Sequence, residues 1–180
     1  SKFFNVEDGT GAALAYYADL PIALISGRFS ECTSIRANEL NIKHCFQNTL
    51  NKTEKLHELM NIYSVDYSEI AYIGDSFVDI PVMKLVALPI TVPNAQDSNK
   101  THSVYITKKS GGQGVLLEVV ERILMFQNRY KEVMGIMEKD KLKPTKRLLI
   151  NMLYHIGFNE KGIKSLANAS KNDIINSIIK

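Results

Sequence analysis

No two aspartates stand two residues apart anywhere in this chain, so closely paired aspartates are missing from residues 1–180. Cysteine is almost as scarce. Cys32 and Cys45 have no metal-ligand spacing and few histidine neighbours, which excludes a zinc cage or a disulfide scaffold. They are expected to be reduced, structural thiols in a cytoplasmic protein. No apolar run reaches the roughly 20 residues of a membrane-spanning helix, so no membrane partner is expected. Ser1-Lys2-Phe3-Phe4 passes at once into polar residues, without the pattern of a signal peptide. There is no internal repeat.

What is present fits a globular domain with a full core. At 180 residues, 45% hydrophobic and 23% charged, the chain has an ordinary soluble composition. The net charge of +3 hides an asymmetry. Residues 1–129 carry 12 Lys/Arg against 14 Asp/Glu (−2), and residues 130–180 carry 10 against 5 (+5). The basic tail does not predict a nucleic-acid partner. Lys139, Lys141, Lys143, Lys146 and Arg147 are interleaved with acids and lack aromatic stacking partners, as on a solvated helical face.

Residues 1–129 read as alternating helix and strand. Ile22–Ile25 and Ile70–Ile73 are short, continuous apolar runs of the kind found in strands buried on both faces. Weaker strands are predicted at 45–47, 88–92 and 103–106. Helices are predicted over 11–19, from a Ser30 cap to Leu40, over 53–62, around 80–86, and from Gly111-Gly112-Gln113-Gly114 to about Tyr130. Such alternation predicts an α/β, Rossmann-like parallel sheet with helices on both faces. Its ligand crevice lies beyond the carboxyl ends of the strands. Residues 130–180 form a separate expectation: a helical extension with a polar break at 139–144 and helices at 145–154 and 171–179, suited to packing or oligomerisation.

Three motifs fall at or just beyond those strand ends. Ser26-Gly27-Arg28 offers a hydroxyl, free amides and a glycine that allows close approach of phosphate oxygens. A serine there also suits a plain helix cap. Lys52, at a helix start, is a point charge able to neutralise a phosphoryl group, or a simple surface lysine. In Gly74-Asp75-Ser76-Phe77-Val78-Asp79, Asp75 at a strand end suits a hard oxygen ligand for Mg²⁺. The same pattern also suits a helix N-cap with a first-turn acid. Order and spacing together favour a phosphate site.

With these residues in view, the chain resembles the haloacid dehalogenase superfamily of phosphotransferases. The likeness is to its small capless branch, typified by 3-deoxy-manno-octulosonate 8-phosphate phosphatase. Phe4-Asn5-Val6-Glu7-Asp8-Gly9-Thr10-Gly11 matches that branch's Phe-Asn-Val-x-Asp-Gly-x-Gly, and Ser26-Gly27-Arg28 its Thr-Gly-Arg. Arg36, Glu39, Leu40 and Ile42 fit Arg-x-x-Glu-Leu-x-Ile; Gln47 to Lys52 fits Gln-Gly-x-x-Asp-Lys. Ala71 to Met83 and Gly111 to Gly114 complete the series.

The resemblance implies a Mg²⁺-dependent phosphomonoester hydrolase acting through an aspartyl-phosphate, with 3-deoxy-manno-octulosonate 8-phosphate as the best-matched sugar phosphate. Ser26 and Lys52 would hold the transferring phosphoryl group as catalytic residues. Ser26, Gly27, Arg28 and Lys52 would bind substrate, and Asp75 and Asp79 would serve the metal. A homo-oligomer, a tetramer by analogy, would close the capless site. The family's Asp-x-Asp belongs to a first strand ahead of the Phe-Asn-Val segment, and an upstream segment carrying it is expected.

Other departures are Ser76 where the family has a second aspartate, Asn51 for an aspartate beside Lys52, and Leu117-Glu118 for Arg-Glu. They suit an alternative: a catalytically inactive oligomerisation domain, like those fused to acylneuraminate cytidylyltransferases.

Overall fold

Asn5 starts the first helix earlier than the apolar pattern suggests. Its side chain accepts the Glu7 N–H at 2.8 Å, so α1 spans Val6–Tyr17. The computed structural model describes residues 4–141. After α1 come β1 (Ala23–Ile25), α2 (Glu31–Glu39), β2 (His44–Phe46), α3 (Lys52–Tyr63) and β3 (Ala71–Ile73). Then follow α4 (Ile80–Met83), β4 (Leu88–Thr91), α5 (Asp97–Lys100), β5 (Tyr105–Ile106), α6 (Val115–Phe126) and α7 (Tyr130–Lys141). Single 3₁₀ turns at Tyr67–Glu69 and Phe77–Asp79 flank β3.

All strand pairings among the described residues are parallel, as the alternation of elements predicts. They form two sheets: β1 with β2, and β3-β4-β5 with β4 in the centre. This changes one expectation. The runs 22–25 and 70–73 are not buried on both faces; β1 is only half-buried throughout, and Ile73 keeps 38% of its surface. Among the described residues β1 has β2 as its one strand neighbour and β3 has β4, so each keeps an open edge facing a cleft. Both strands line this cleft of about 1170 Å³, which continues over Leu56, Ile90 and Val119.

Helices cover the sheets through small, mostly aliphatic clusters. Ile90, Val92, Ala95, Val115 and Val119 join β4 to α6, and Leu56, Val82 and Val86 join α3 to α4. α1 lies against α6 so closely that a Cβ at Gly11 would sit 2.5 Å from the Leu117 backbone nitrogen. Glycine is required there, and Asp8 fixes the pairing by accepting the Leu116 N–H at 3.0 Å.

Residues through Met134 form one compact unit, and a second begins at Gly135. α7 carries residues 139–141, so the first part of the expected polar break is helical. The helices expected at 145–154 and 171–179 lie outside the described residues. Cys32 and Cys45 are both free thiols. Among the described residues no helix is long and apolar enough to cross a membrane.

Candidate active site

The loop that leaves β3 is held from three sides. Gly74 continues the strand, its N–H bonded to the Ile90 carbonyl at 3.0 Å, and its own carbonyl accepts the Thr91 hydroxyl at 2.6 Å. A Cβ at Gly74 would lie 2.6 Å from Asp79 Cβ and 3.0 Å from Met83 Sδ. Only glycine lets the chain turn this tightly over Asp79.

Asp79 is the centre of the network. Its side chain is 3% exposed, and it takes four donors. Oδ1 accepts Lys52 Nζ at 2.5 Å and the Tyr72 hydroxyl at 2.7 Å, while Oδ2 accepts the Asp75 and Ser76 N–H groups at 3.1 Å each. Lys52 is the first residue of α3, placed there by Asn51, whose side chain accepts the Glu54 N–H at 3.3 Å. Its ammonium is mostly buried, and Asp79 is the counter-charge that makes this tolerable. Burial, then the bond to Asp79 and the charges of Asp79 and Asp75, raise the Tyr72 phenol well above the ordinary tyrosine range. Its hydroxyl therefore stays protonated and donating.

Asp75 differs. It is exposed, it borders the cleft together with Lys52 and Asp79, and its carboxylate makes no hydrogen bond among the described residues. Beyond the end of β1, Ser26 takes the Phe46 carbonyl on its N–H at 2.8 Å, and its carbonyl accepts the Thr49 N–H at 3.0 Å. That second bond ties the Ser26 loop to the segment leading into Lys52. The Ser26 hydroxyl accepts the Arg28 N–H at 3.2 Å and can donate to the Arg28 carbonyl at 2.8 Å, a local turn. Gly27 and Arg28 are exposed, and a Cβ at Gly27 would meet only the Thr49 carbonyl, at 3.7 Å.

The structure thus unites Lys52, Asp79 and Asp75 directly, and links Ser26-Gly27-Arg28 to them through Thr49. Among the described residues no three His, Cys, Asp or Glu side chains gather as a metal cage. A single free carboxylate still matches Mg²⁺, which keeps several waters and relies on one or two carboxylates plus substrate phosphate.

Sequence reasoning assigned no role to several supporting groups, although Gln47, Tyr72 and Glu118 lie in or beside the matched motifs. Tyr72 reaches Asp79; Gln47 accepts the Ser30 N–H at 2.7 Å and bonds the Ser34 hydroxyl; Glu118 gathers the Tyr105 hydroxyl and the Lys108 and Lys109 amides. Alternation offered a signal for Tyr72, because residues two apart share a strand face and Gly74 heads the site. For Gln96 and Asn99, which reach the same loop from α5, the sequence offered none.

A haloacid dehalogenase-like hydrolase family model matches residues 18–119. The 3-deoxy-D-manno-octulosonate 8-phosphate phosphatase of Yersinia pestis is 35% identical over 135 residues, 75% of this chain and 72% of that protein. The structure of the Moraxella catarrhalis phosphatase of the same name, in complex with magnesium, phosphate and KDO, superposes with a TM-score of 0.72 at 34% identity. It covers 76% of this chain and 79% of that one. A probable phosphatase from Pseudomonas syringae gives 0.73 at 33% identity, covering 76% and 78%. The chain therefore belongs to the haloacid dehalogenase-like hydrolases as a phosphatase, similar to the 3-deoxy-D-manno-octulosonate 8-phosphate phosphatases.

Proposed function

We propose that this domain hydrolyses a sugar phosphate monoester, with 3-deoxy-D-manno-octulosonate 8-phosphate as substrate and Mg²⁺ as cofactor. The observation that carries this reading is the Lys52–Asp79 pair beside the unbonded Asp75 carboxylate at the end of β3. Lys52 offers protons and charge to the phosphoryl oxygens, and Asp79 keeps it aimed. Ser26 contributes its hydroxyl, and the bare Gly27 leaves room for a phosphate that the neighbouring backbone does not fill. Arg28, exposed and without an ion pair among the described residues, faces the remainder of an anionic substrate. Asp75 holds the ion, with Asp79 supporting that shell through the Asp75 N–H. Mg²⁺ bound there would supply positive charge that offsets the charge of the phosphoryl group.

In the family's chemistry an aspartate attacks phosphorus, and the sugar alcohol leaves carrying a proton from a second aspartate. Water then cleaves the aspartyl-phosphate, releasing phosphate. We assign the Asp-x-Asp strand of that chemistry to the cleft between β1 and β3, whose unpaired edges and apolar walls suit an extended segment. Its carboxyl end would arrive beside Lys52 and Asp75.

Phe29, Leu50 and Phe77 stand 64%, 93% and 64% exposed in the loops after β1, β2 and β3. Their apolar exposure supports closure of the site by neighbouring subunits; the cytoplasmic homotetramer is proposed from the resemblance to the capless branch.

The test is phosphate release from 3-deoxy-D-manno-octulosonate 8-phosphate with Mg²⁺ present. Full-length protein should turn it over, and Lys52→Ala and Asp75→Asn should each lose about two orders of magnitude. No release from this or any other sugar phosphate would favour the inactive oligomerisation domain.

A further inference from the structure

We propose that Gln96 and Asn99 are positioning residues that set the aim of the Asp75 carboxylate. The inference rests on the reading of Asp75 as the Mg²⁺ ligand. Three hydrogen bonds connect the start of α5 to the loop that carries Asp75. The Gln96 N–H donates to the Asp75 carbonyl at 3.3 Å, the Phe77 N–H donates to Gln96 Oε1 at 2.8 Å, and Asn99 Nδ2 donates to the Ser76 carbonyl at 2.8 Å. From the other side, Asp79 Oδ2 takes the Asp75 and Ser76 N–H groups. The backbone around Asp75 is therefore fixed on both faces, while its carboxylate has no hydrogen bond among the described residues.

Asn99 is the informative member. It is completely buried, its Nδ2 also touches Met83 Sδ at 3.4 Å, and its Oδ1 finds no partner. A leucine of similar size would pack there without an orphaned acceptor. As packing, asparagine is the poorer choice, and what it adds is the bond to the Ser76 carbonyl. Groups that orient a metal ligand commonly change ion affinity by about 10–100-fold when removed. Gln96 reaches the same loop from an exposed position, so it can be altered with little effect on the core.

The experiment measures Mn²⁺ binding to the full-length protein without substrate, by electron paramagnetic resonance of the free ion, alongside the metal-free melting temperature. Asn99→Leu should weaken Mn²⁺ binding about tenfold while leaving the melting temperature unchanged or raised, and Gln96→Leu should weaken it in the same direction. Asp75→Asn is the control for the underlying reading. If Asp75→Asn weakens binding and both Asn99→Leu and Gln96→Leu stay within about twofold of the parent protein, the positioning role is overturned and the metal site stands. If Asp75→Asn leaves Mn²⁺ binding unchanged, the metal reading fails and this inference fails with it. Should Asn99→Leu not fold, the Gln96→Leu result decides alone.

Discussion

Lys52 Nζ and Asp79 Oδ1 lie 2.5 Å apart across 27 residues of sequence, joining the first turn of α3 to the turn after β3. Their side chains are 12% and 3% exposed, so neither charge is compensated by bulk water. Removing one partner of such a pair leaves the other buried alone, at a cost of about 3–5 kcal/mol. Asp79→Ala should therefore unfold at markedly lower urea concentration, because it also strips an acceptor from Tyr72 and two backbone amides. Lys52→Met keeps most of the apolar stem and leaves Asp79 its three other donors, so it should be the less destabilised of the two. It should nevertheless lose phosphatase activity as severely. Urea melts and phosphate release on the same preparations separate the two effects.

Tyr72 predicts an alkaline limb. Its folded-state ionisation is raised, chiefly by burial and then by the bond to Asp79. An acid harder to ionise when folded contributes stability that is complete below the unfolded pKa, about 10, and is lost as pH rises above it. Each proton released only on unfolding steepens the loss by about 1.4 kcal/mol per pH unit. Tyr72→Phe should flatten the fall in stability above pH 10 relative to the parent protein. At neutral pH it should lose about 1.5–3 kcal/mol, the worth of a hydrogen bond to a charged acceptor. Equal alkaline slopes would refute the assignment.

Glu118 organises the loop before α6. It accepts the Tyr105 hydroxyl at 2.6 Å and the Lys108 and Lys109 N–H groups at 2.7 and 2.9 Å. Desolvation alone would raise this carboxyl, but those donors hold it below its ordinary range. A depressed carboxyl contributes stability present above its unfolded pKa, about 4.3, and lost as pH falls through the folded value. Glu118→Gln should flatten the acid limb and speed amide exchange at Lys108 and Lys109, with the exchange rates read directly by NMR.

How much of this was legible depends on how local the signal is. The strand-end motifs were readable because glycine, a carboxylate and an apolar run stand in one short segment, and Gly74, Asp75 and Asp79 fall where they were expected. The double burial of 22–25 and 70–73 was misjudged because an apolar run reports composition and not its neighbours; whether β1 and β3 are flanked depends on pairing partners far away. One of the substitutions that stood out as departures has local work to do. This is Asn51, whose side chain caps α3; the Ser76 N–H that feeds Asp79 and the Leu117 backbone beside Gly11 are groups any residue but proline would supply, and they do not explain those two side chains. Gln96 and Asn99 could not be found, since polar residues at the cap of a four-residue helix and within it carry no periodicity.

Gly74 and Gly27 make opposite predictions from the same substitution. An alanine at Gly74 drives its Cβ into Asp79 and Met83, at 2.6 and 3.0 Å. Asp79 is pinned by four donors and cannot retreat without breaking the bond to Lys52. Gly74→Ala should cost about 1–3 kcal/mol, as overpacking does, and should lose activity as well. At Gly27 the nearest atom is 3.7 Å away and the backbone is not left-handed, so alanine should leave stability within about 0.5 kcal/mol. If phosphate oxygens approach the chain there, Gly27→Ala should raise KM for the sugar phosphate or lower kcat on an intact fold. A Gly27→Ala protein with unchanged melting and unchanged kinetics would move the phosphate away from the end of β1, and Ser26 and Arg28 would lose their assigned roles with it.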